Sequence, residues 1–299
     1  MSFSSNCKAE LCRLPLARRS AAVAESYGVL LYCNTFSPHL IRIVTESEDF
    51  TARLPRLFKK AFGVEFDTLP DGASGGKQIF LIESQEKIAH IFSAFGVSAK
   101  SSVALHVNFG VLEEDADRFA FLRGAFLAGG SVTDPTKRYH LELITSHHKV
   151  SLEACALLLD VGFYPKALSR GGSGILYFKQ SDSIADFLTA IGAPVCAMGI
   201  LQAKVEKDMR NEVNRRCNCE TANLTKVVDA SIEQVAAIRK LKKTGQLQQL
   251  PEKLRRTAEL RLKNPEATLA ELAEQSDPPV SKSAMNHRMR KLVELAGTQ

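Results

Sequence analysis

The side chains best suited to recognition chemistry gather near the end of this 299-residue sequence, in VSKSAMNHRMRKLVELA. Plotted as a helix at about 100° per residue, Met285, Met289, Leu292 and Ala296 share one face, which needs a core to cover it. Ser283, His287, Arg290 and Glu294 lie opposite, with Asn286 and Lys291 on the flanks. Such a set suits the edges of bases in a DNA major groove, because asparagine can make two hydrogen bonds to adenine and arginine two to guanine. Ser283, Asn286, His287 and Arg290 are therefore the candidates for direct readout. Ser281, Lys282 and Lys291 suit contacts to backbone phosphate, helped by the free amides at a helix start. Arg288 projects toward the core side and either joins the DNA-binding set or pairs with Glu271 or Glu274. The competing reading of the whole face is a solvated basic helix.

Charge favours a polyanionic partner for this part of the chain. From Leu201 onward there are 19 Lys+Arg against 13 Asp+Glu; the chain totals are 39 and 33, which leaves 20 of each before that point. The net charge of +6 therefore belongs to the last third, an asymmetry that hints at nucleic acid there. Composition is otherwise that of a globular protein, 45% hydrophobic and 24% charged, and the length favours two or three domains. No apolar run reaches the roughly 18 residues of a membrane span. MSFSSNCKAELCRL lacks the apolar core and cleavage site of a secretory signal, so the expectation is a cytoplasmic protein with no membrane partner.

Metal and nucleotide chemistry find little support. The seven cysteines (Cys7, Cys12, Cys33, Cys155, Cys196, Cys217, Cys219) are odd in number and scattered, as free thiols in a reducing compartment are. Cys217 and Cys219 form C-x-C without a second ligand pair, so neither a zinc site nor a cofactor is expected. Gly72 to Lys77 has three residues between its outer glycines and Gln78 after the lysine, which fails the phosphate-loop pattern and reads as a hairpin turn.

The tail that positions the basic face is helical by pattern from about Asn223. Ser231 with Gln234, and Thr268 with Glu271, have capping-box spacing and predict two helix starts. Pro251 suits a first helical position, and Asn264-Pro265 ends LPEKLRRTAELRLK. Two short amphipathic helices follow, joined by Ser276-Asp277-Pro278-Pro279, and the second is basic; together they read as a helix-turn-helix. Before the tail, Val205, Met209 and Val213 place a narrow apolar stripe on a connecting helix whose Arg210, Arg215 and Arg216 either touch phosphate or make surface ion pairs.

The first 200 residues contain an internal duplication with an offset of 96 to 100 positions, read directly from the matched residues. Gly28 falls on Gly124, Pro38 on Pro135 and Thr45 on Thr145. HLIRIVT matches YHLELIT, Phe62-Gly63-Val64 matches Val161-Gly162-Phe163, and DGASGGK matches SRGGSG. Each copy closes on an amphipathic helix, carrying Ile88, Ile91, Phe92 and Phe95 in one and Ile184, Phe187, Leu188 and Ile191 in the other. In FLRGAFLAGG, Gly124, Ala128 and Gly129 form a strip almost without side chains, which lets a partner helix approach backbone to backbone. A glycine inside a helix costs about 1 kcal/mol against alanine, so the strip needs such a packing reason.

This pattern resembles the LAGLIDADG homing-endonuclease fold, an α+β architecture in which two motif helices pack at the centre of two pseudo-symmetric halves with antiparallel sheets. Leu122, Gly124, Ala128 and Gly130 match the motif in the second copy, and Gly28 is the third letter in the first. The resemblance implies a divalent-metal site at the eighth letter, where the nucleases carry an acid; here those positions are Cys33 and Gly129. Hard cations need carboxylate oxygens, so cleavage chemistry lacks its ligands at both places.

NEVNRRCNCETANLTKVVDASIEQVAAIRKL, LPEKLRRTAELRLKNPEATLAELAE and PPVSKSAMNHRMRKL are similar to the signatures of the WhiA family. That family joins a degenerate LAGLIDADG domain to a helix-turn-helix of the kind in sigma factors. Ala284 stands where the family's glycine is expected, and Met285 where a branched aliphatic is usual. The resemblance implies domains at 1–200 (repeats at about 1–112 and 113–200), 201–222 (connecting helix) and 223–299 (helix-turn-helix). It further implies a nucleoid-associated, sequence-specific regulator of sporulation or cell division that binds promoter DNA, with a WhiB-type iron-sulfur regulator and RNA polymerase as partners. Two alternatives stand beside it: a LAGLIDADG-type endonuclease with atypical metal ligands, for which Asp134 is the nearest acid, and an N-terminal module that docks a protein rather than DNA.

Overall fold

A computed structural model describes residues 2–70, 76–97 and 105–297. It contains two compact units, Met1–Lys207 and Asp208–Gln299. Among the described residues no helix is long and apolar enough to cross a membrane.

The first unit opens with α1 (Phe3–Cys12) and then runs twice through one order of elements. The first pass is α2 (Arg19–Tyr32), β1 (Thr35–Phe36), β2 (Ile41–Thr45), α3 (Glu48–Phe62), β3 (Gln78–Ile82) and α4 (Gln85–Ala94). The second is α5 (Asp115–Gly129), β4 (Gly130–Val132), β5 (Leu141–Thr145), α6 (His148–Asp160), β6 (Lys166–Arg170), β7 (Ser173–Phe178) and α7 (Ser181–Ile191). The antiparallel sheets run β1-β2-β3 and β4-β5-β7-β6. β3 and β7 occupy matching places, and among the described residues the counterpart of β6 in the first copy is an isolated bridge, Thr68 to Leu81. Thr45 and Thr145 share a role as well as an alignment: each hydroxyl accepts the amide two residues on, from Ser47 and His147, and so starts the turn into the next helix.

Gly171 and Gly172 both take positive φ, 57° and 82°, in the two-residue turn between Arg170 and Ser173 that joins β6 to β7. Such a turn matches strand twist only when both central residues tolerate the left-handed region. The matching glycine-rich stretch DGASGGK lies mostly outside the described residues, at 71–75.

The two motif helices, α2 and α5, form the centre of the unit. A Cβ on Gly28 would lie 2.0 Å from the Phe121 carbonyl oxygen, and one on Gly124 would lie 2.0 Å from that of Glu25. The glycines thus face each other's backbone, and any larger residue would force the helices apart. Around the crossing, Tyr27 stacks on Phe95 with centroids 4.1 Å apart and meets Phe121 edge-on at 5.8 Å. The closing-helix residues Ile88, Ile91, Phe92, Phe95, Ile184, Phe187, Leu188 and Ile191 are all buried in the same core.

A buried acidic side chain sits within this crossing. Glu25, 1% exposed, accepts from Arg53 Nε at 2.6 Å and Nη2 at 2.9 Å, and from Arg123 Nε at 3.0 Å. Arg53 Nη1 continues to the carbonyls of Cys12 and Leu14, and Arg123 Nη1 to that of Ile191. The network ties α2, α3, α5 and the end of α7 through one carboxylate, with the charges both paired and hydrogen-bonded as burial demands.

α8 (Pro194–Lys243) runs without interruption from residues of the first unit into residues of the second. Ser231 and Gln234 therefore do not begin a helix, contrary to their spacing. Both are buried inside α8, where the Ser231 hydroxyl donates to the Pro265 carbonyl and Gln234 Oε1 accepts from Arg261 Nε at 3.0 Å. Tertiary partners have taken the side chains that a capping box would use. Val205, Met209 and Val213 are on α8 as expected, but each is more than half exposed.

The remainder of the second unit is α9 (Glu252–Lys263), α10 (Leu269–Glu274) and α11 (Lys282–Gly297). They pack with Ile238 and Leu241 of α8 around Leu254, Ala258, Leu272, Met285, Met289 and Leu292. Pro251 caps α9 from just outside its first turn.

Candidate nucleic-acid interface

α10 starts on a complete capping box. Thr268 Oγ1 accepts from the Glu271 amide, and the Glu271 carboxylate accepts from the Thr268 amide at 2.7 Å. This reciprocal pair satisfies two donors that would otherwise be orphaned. The turn beyond α10 is held by the Val280 amide, which donates to the Ala273 carbonyl at 3.0 Å, and by the Ser276 hydroxyl, which donates to the same carbonyl at 2.8 Å. α11 then begins at Ser281, whose Oγ accepts from the Ala284 amide at 3.2 Å. At its far end Lys240 Nζ donates to the Ala296 carbonyl at 2.7 Å, a cation on the negative end of a helix dipole. Both ends of α11 are thereby fixed, and so is its rotation.

That rotation buries Met285, Met289, Leu292 and Ala296, the face assigned from periodicity. Ser281, Lys282, Ser283, His287, Arg290 and Lys291 are exposed, while Asn286 and Arg288 are half-buried. Arg288 does not reach Glu271 or Glu274. It lines a cleft of about 460 Å³ that also includes Glu252, Glu259 and Asp277, and Glu271 is committed to its own cap. Among the described residues Lys282, Arg288, Arg290 and Lys291 make no ion pair. An exposed row of cations without internal partners keeps its charge available to an external anion.

At the foot of the motif helices the two positions where the nucleases carry an acid hold Cys33 and Gly129. Cys33 ends α2, its Sγ donates to the carbonyls of Leu30 and Thr35, and burial pushes the thiol up to about 12. Gly129 ends α5, and a Cβ there would lie 2.4 Å from the Ile144 carbonyl oxygen, so even a small side chain is excluded. Asp134 accepts from the Thr136 amide at 2.8 Å and hydroxyl at 2.7 Å, bonds that hold its carboxyl below the usual range. It is thus engaged in its own turn. Among the described residues no three His, Cys, Asp or Glu side chains converge as metal ligands would.

Sequence reasoning passed over Glu25, Arg53 and Arg123. A carboxylate three residues before Gly28 and an arginine beside Gly124 were the available signal, since a charge within a strip of small residues must be neutralised locally.

The chain is similar to known proteins across its length. A WhiA LAGLIDADG-like domain is matched over residues 118–210, which takes in the second copy of the duplication, and a WhiA C-terminal HTH domain over residues 213–296. The probable cell division protein WhiA of Ruminiclostridium cellulolyticum is 39% identical over 306 residues, covering 99% of this chain and 97% of that one. Its counterpart in Alkaliphilus oremlandii is 36% identical over 310 residues, with the same coverage. Full-length DUF199/WhiA from Thermatoga maritima superposes with a TM-score of 0.61 at 25% identity, covering 99% of this chain and 98% of that one. The isolated N-terminal LAGLIDADG domain of DUF199/WhiA shares the fold at a TM-score of 0.50 and 23% identity, over 64% of this chain and 92% of that one. With its paired motif helices, its two antiparallel sheets and its capped helix-turn-helix, this chain belongs to the WhiA family.

Proposed function

We propose that this protein is a sequence-specific DNA-binding regulator of transcription that reads the major groove with α11, from Ser281 to Leu295, and does not cut DNA. The observation that carries this reading is the unpaired basic face of α11, anchored from behind by Met285, Met289 and Leu292. Ser283, Asn286, His287 and Arg290 contact bases, whereas Ser281, Lys282, Arg288 and Lys291 contact phosphates. The relatives named as probable cell division proteins support a role in cell division, and promoters of division or sporulation genes are the targets this reading assigns. A WhiB-type iron-sulfur regulator and RNA polymerase are the partners this role calls for, in the cytoplasm at the nucleoid.

The endonuclease reading finds no support at the motif positions, where Cys33 and Gly129 offer a half-buried thiol and no side chain at all. Duplexes recovered from a random pool by the full-length protein test the proposal. Replacing Arg290 by Ala is expected to cost about 1 to 3 kcal/mol in binding and to relax one base position. A loss spread uniformly over all sequences would move Arg290 to the phosphate contacts. Cleavage of plasmid DNA with Mg²⁺ or Mn²⁺, abolished by Asp134→Asn, would overturn the proposal.

A further inference from the structure

An open cleft of about 580 Å³ lies in the first unit, between the start of α1, the Thr45–Ser47 turn and the C-terminal end of α5. Lys8 and Lys77 both line it. Lys8 Nζ donates to the Leu127 carbonyl at 3.0 Å and sits 6.0 Å from the Phe126 ring centroid, so neither neighbour carries a full negative charge. Among the described residues neither lysine has a carboxylate partner. Lys8 is half-buried, and desolvation pulls it down to about 8, so its charge is stabilised less than a paired lysine's would be. Among the described residues Glu46 is the one acid that lines the cleft; it is exposed and makes no ion pair with either lysine.

The rest of the lining supplies donors. Asn34 Oδ1 accepts the Val44 amide at 2.8 Å, which leaves its N–H₂ group to donate. The oxygens of Ser2 and Ser47 accept from the Ser5 and Phe50 amides as helix caps, and each hydroxyl keeps its own proton for another acceptor. The first-turn amides of the ten-residue helix α1 add donors without intrahelical acceptors. Two cations and several donors from different walls exceed what one carboxylate can accept; a tetrahedral dianion with several oxygens matches them.

We propose that this cleft binds a phosphate group, clamped between Lys8 and Lys77 and hydrogen-bonded by Asn34, Ser2 and Ser47. A small phosphomonoester and a nucleic-acid backbone offer the same chemistry, and two arms of one experiment separate them. Full-length protein is titrated with AMP by calorimetry and, separately, with a short random-sequence duplex over a range of salt, for the native chain, Lys8→Gln, Lys77→Ala and Arg290→Ala.

If the ligand is a small phosphate, AMP binds the native chain and weakens roughly ten-fold in each lysine variant, as expected for loss of a charge-assisted hydrogen bond, while Arg290→Ala leaves it unchanged. If the ligand is a backbone phosphate, AMP does not bind and each lysine variant flattens the salt dependence of duplex binding by about 0.9 in log–log slope. Either result supports the site. Lys77 is exposed, so its replacement decides the matter even if Lys8→Gln does not fold. AMP affinity untouched by the lysine variants, or no AMP binding together with an unchanged duplex slope, overturns it. The AMP arm does not depend on the reading of α11, so the two proposals fail separately.

Discussion

Arginine meets opposite fates in the two units. In the first, Arg53 and Arg123 are drawn into the helix crossing and share a single carboxylate, Glu25. In the second, the buried Arg261 is held by neutral oxygens alone, Gln234 Oε1 at 3.0 Å and the Ala267 carbonyl at 2.5 Å, and burial lowers its pKa. On α11, by contrast, Arg288 and Arg290 have no ionic partner among the described residues. The first unit gives both of its central arginines an anionic partner. The second holds its buried Arg261 with neutral acceptors and, among the described residues, leaves the cations of α11 without ionic partners. Net charge alone does not reveal this division, because what matters is which cations already have an anion.

The largest expected effect comes from removing the carboxylate that the two arginines share. Glu25→Ala strands two arginines in the core and is expected to cost about 3 to 5 kcal/mol, read as a lower denaturant midpoint for the first unit. A loss near zero would mean that water reaches the crossing and that the charges are not truly buried. The contrasting case is Gln234→Ala, which removes a neutral acceptor from Arg261 and is expected to cost about 1 to 3 kcal/mol. If it costs as much as Glu25→Ala, the distinction between ionic and neutral anchoring fails. Smaller again, Thr268→Ala removes the cap of α10 and is expected to cost about 1 kcal/mol, measurable as a lower Tm of the second unit. No change would show that packing of Leu272 alone sets the start of α10.

Much of this architecture is legible in the residues themselves. The offset of Gly28 from Gly124 predicts the paired helices, because only a close crossing explains glycine in both places. The 3.6-residue spacing of Met285, Met289 and Leu292 predicts the buried side of α11, and with it the exposed side. The Thr268 and Glu271 spacing works because nothing else competes for those two side chains. Ser231 and Gln234 mislead for the converse reason: Pro265 and Arg261 lie more than 25 positions away in the chain and claim them. Glu25 and Arg123 are likewise 98 residues apart, a distance over which local spacing carries no information. The cleft around Lys8 escapes notice because α1, whose buried residues are Cys7, Ala9 and Leu11, has too weak an apolar pattern to announce that it packs at all.

The central claim, that the free cations of α11 meet DNA phosphate, is tested most directly by the salt dependence of binding to a selected duplex. With four to six phosphates contacted, log K is expected to fall with log salt at a slope of about −3.6 to −5.4, and Lys291→Ala to flatten it by about 0.9. A slope near zero, or one that Lys282→Ala and Lys291→Ala both leave unchanged, would contradict it.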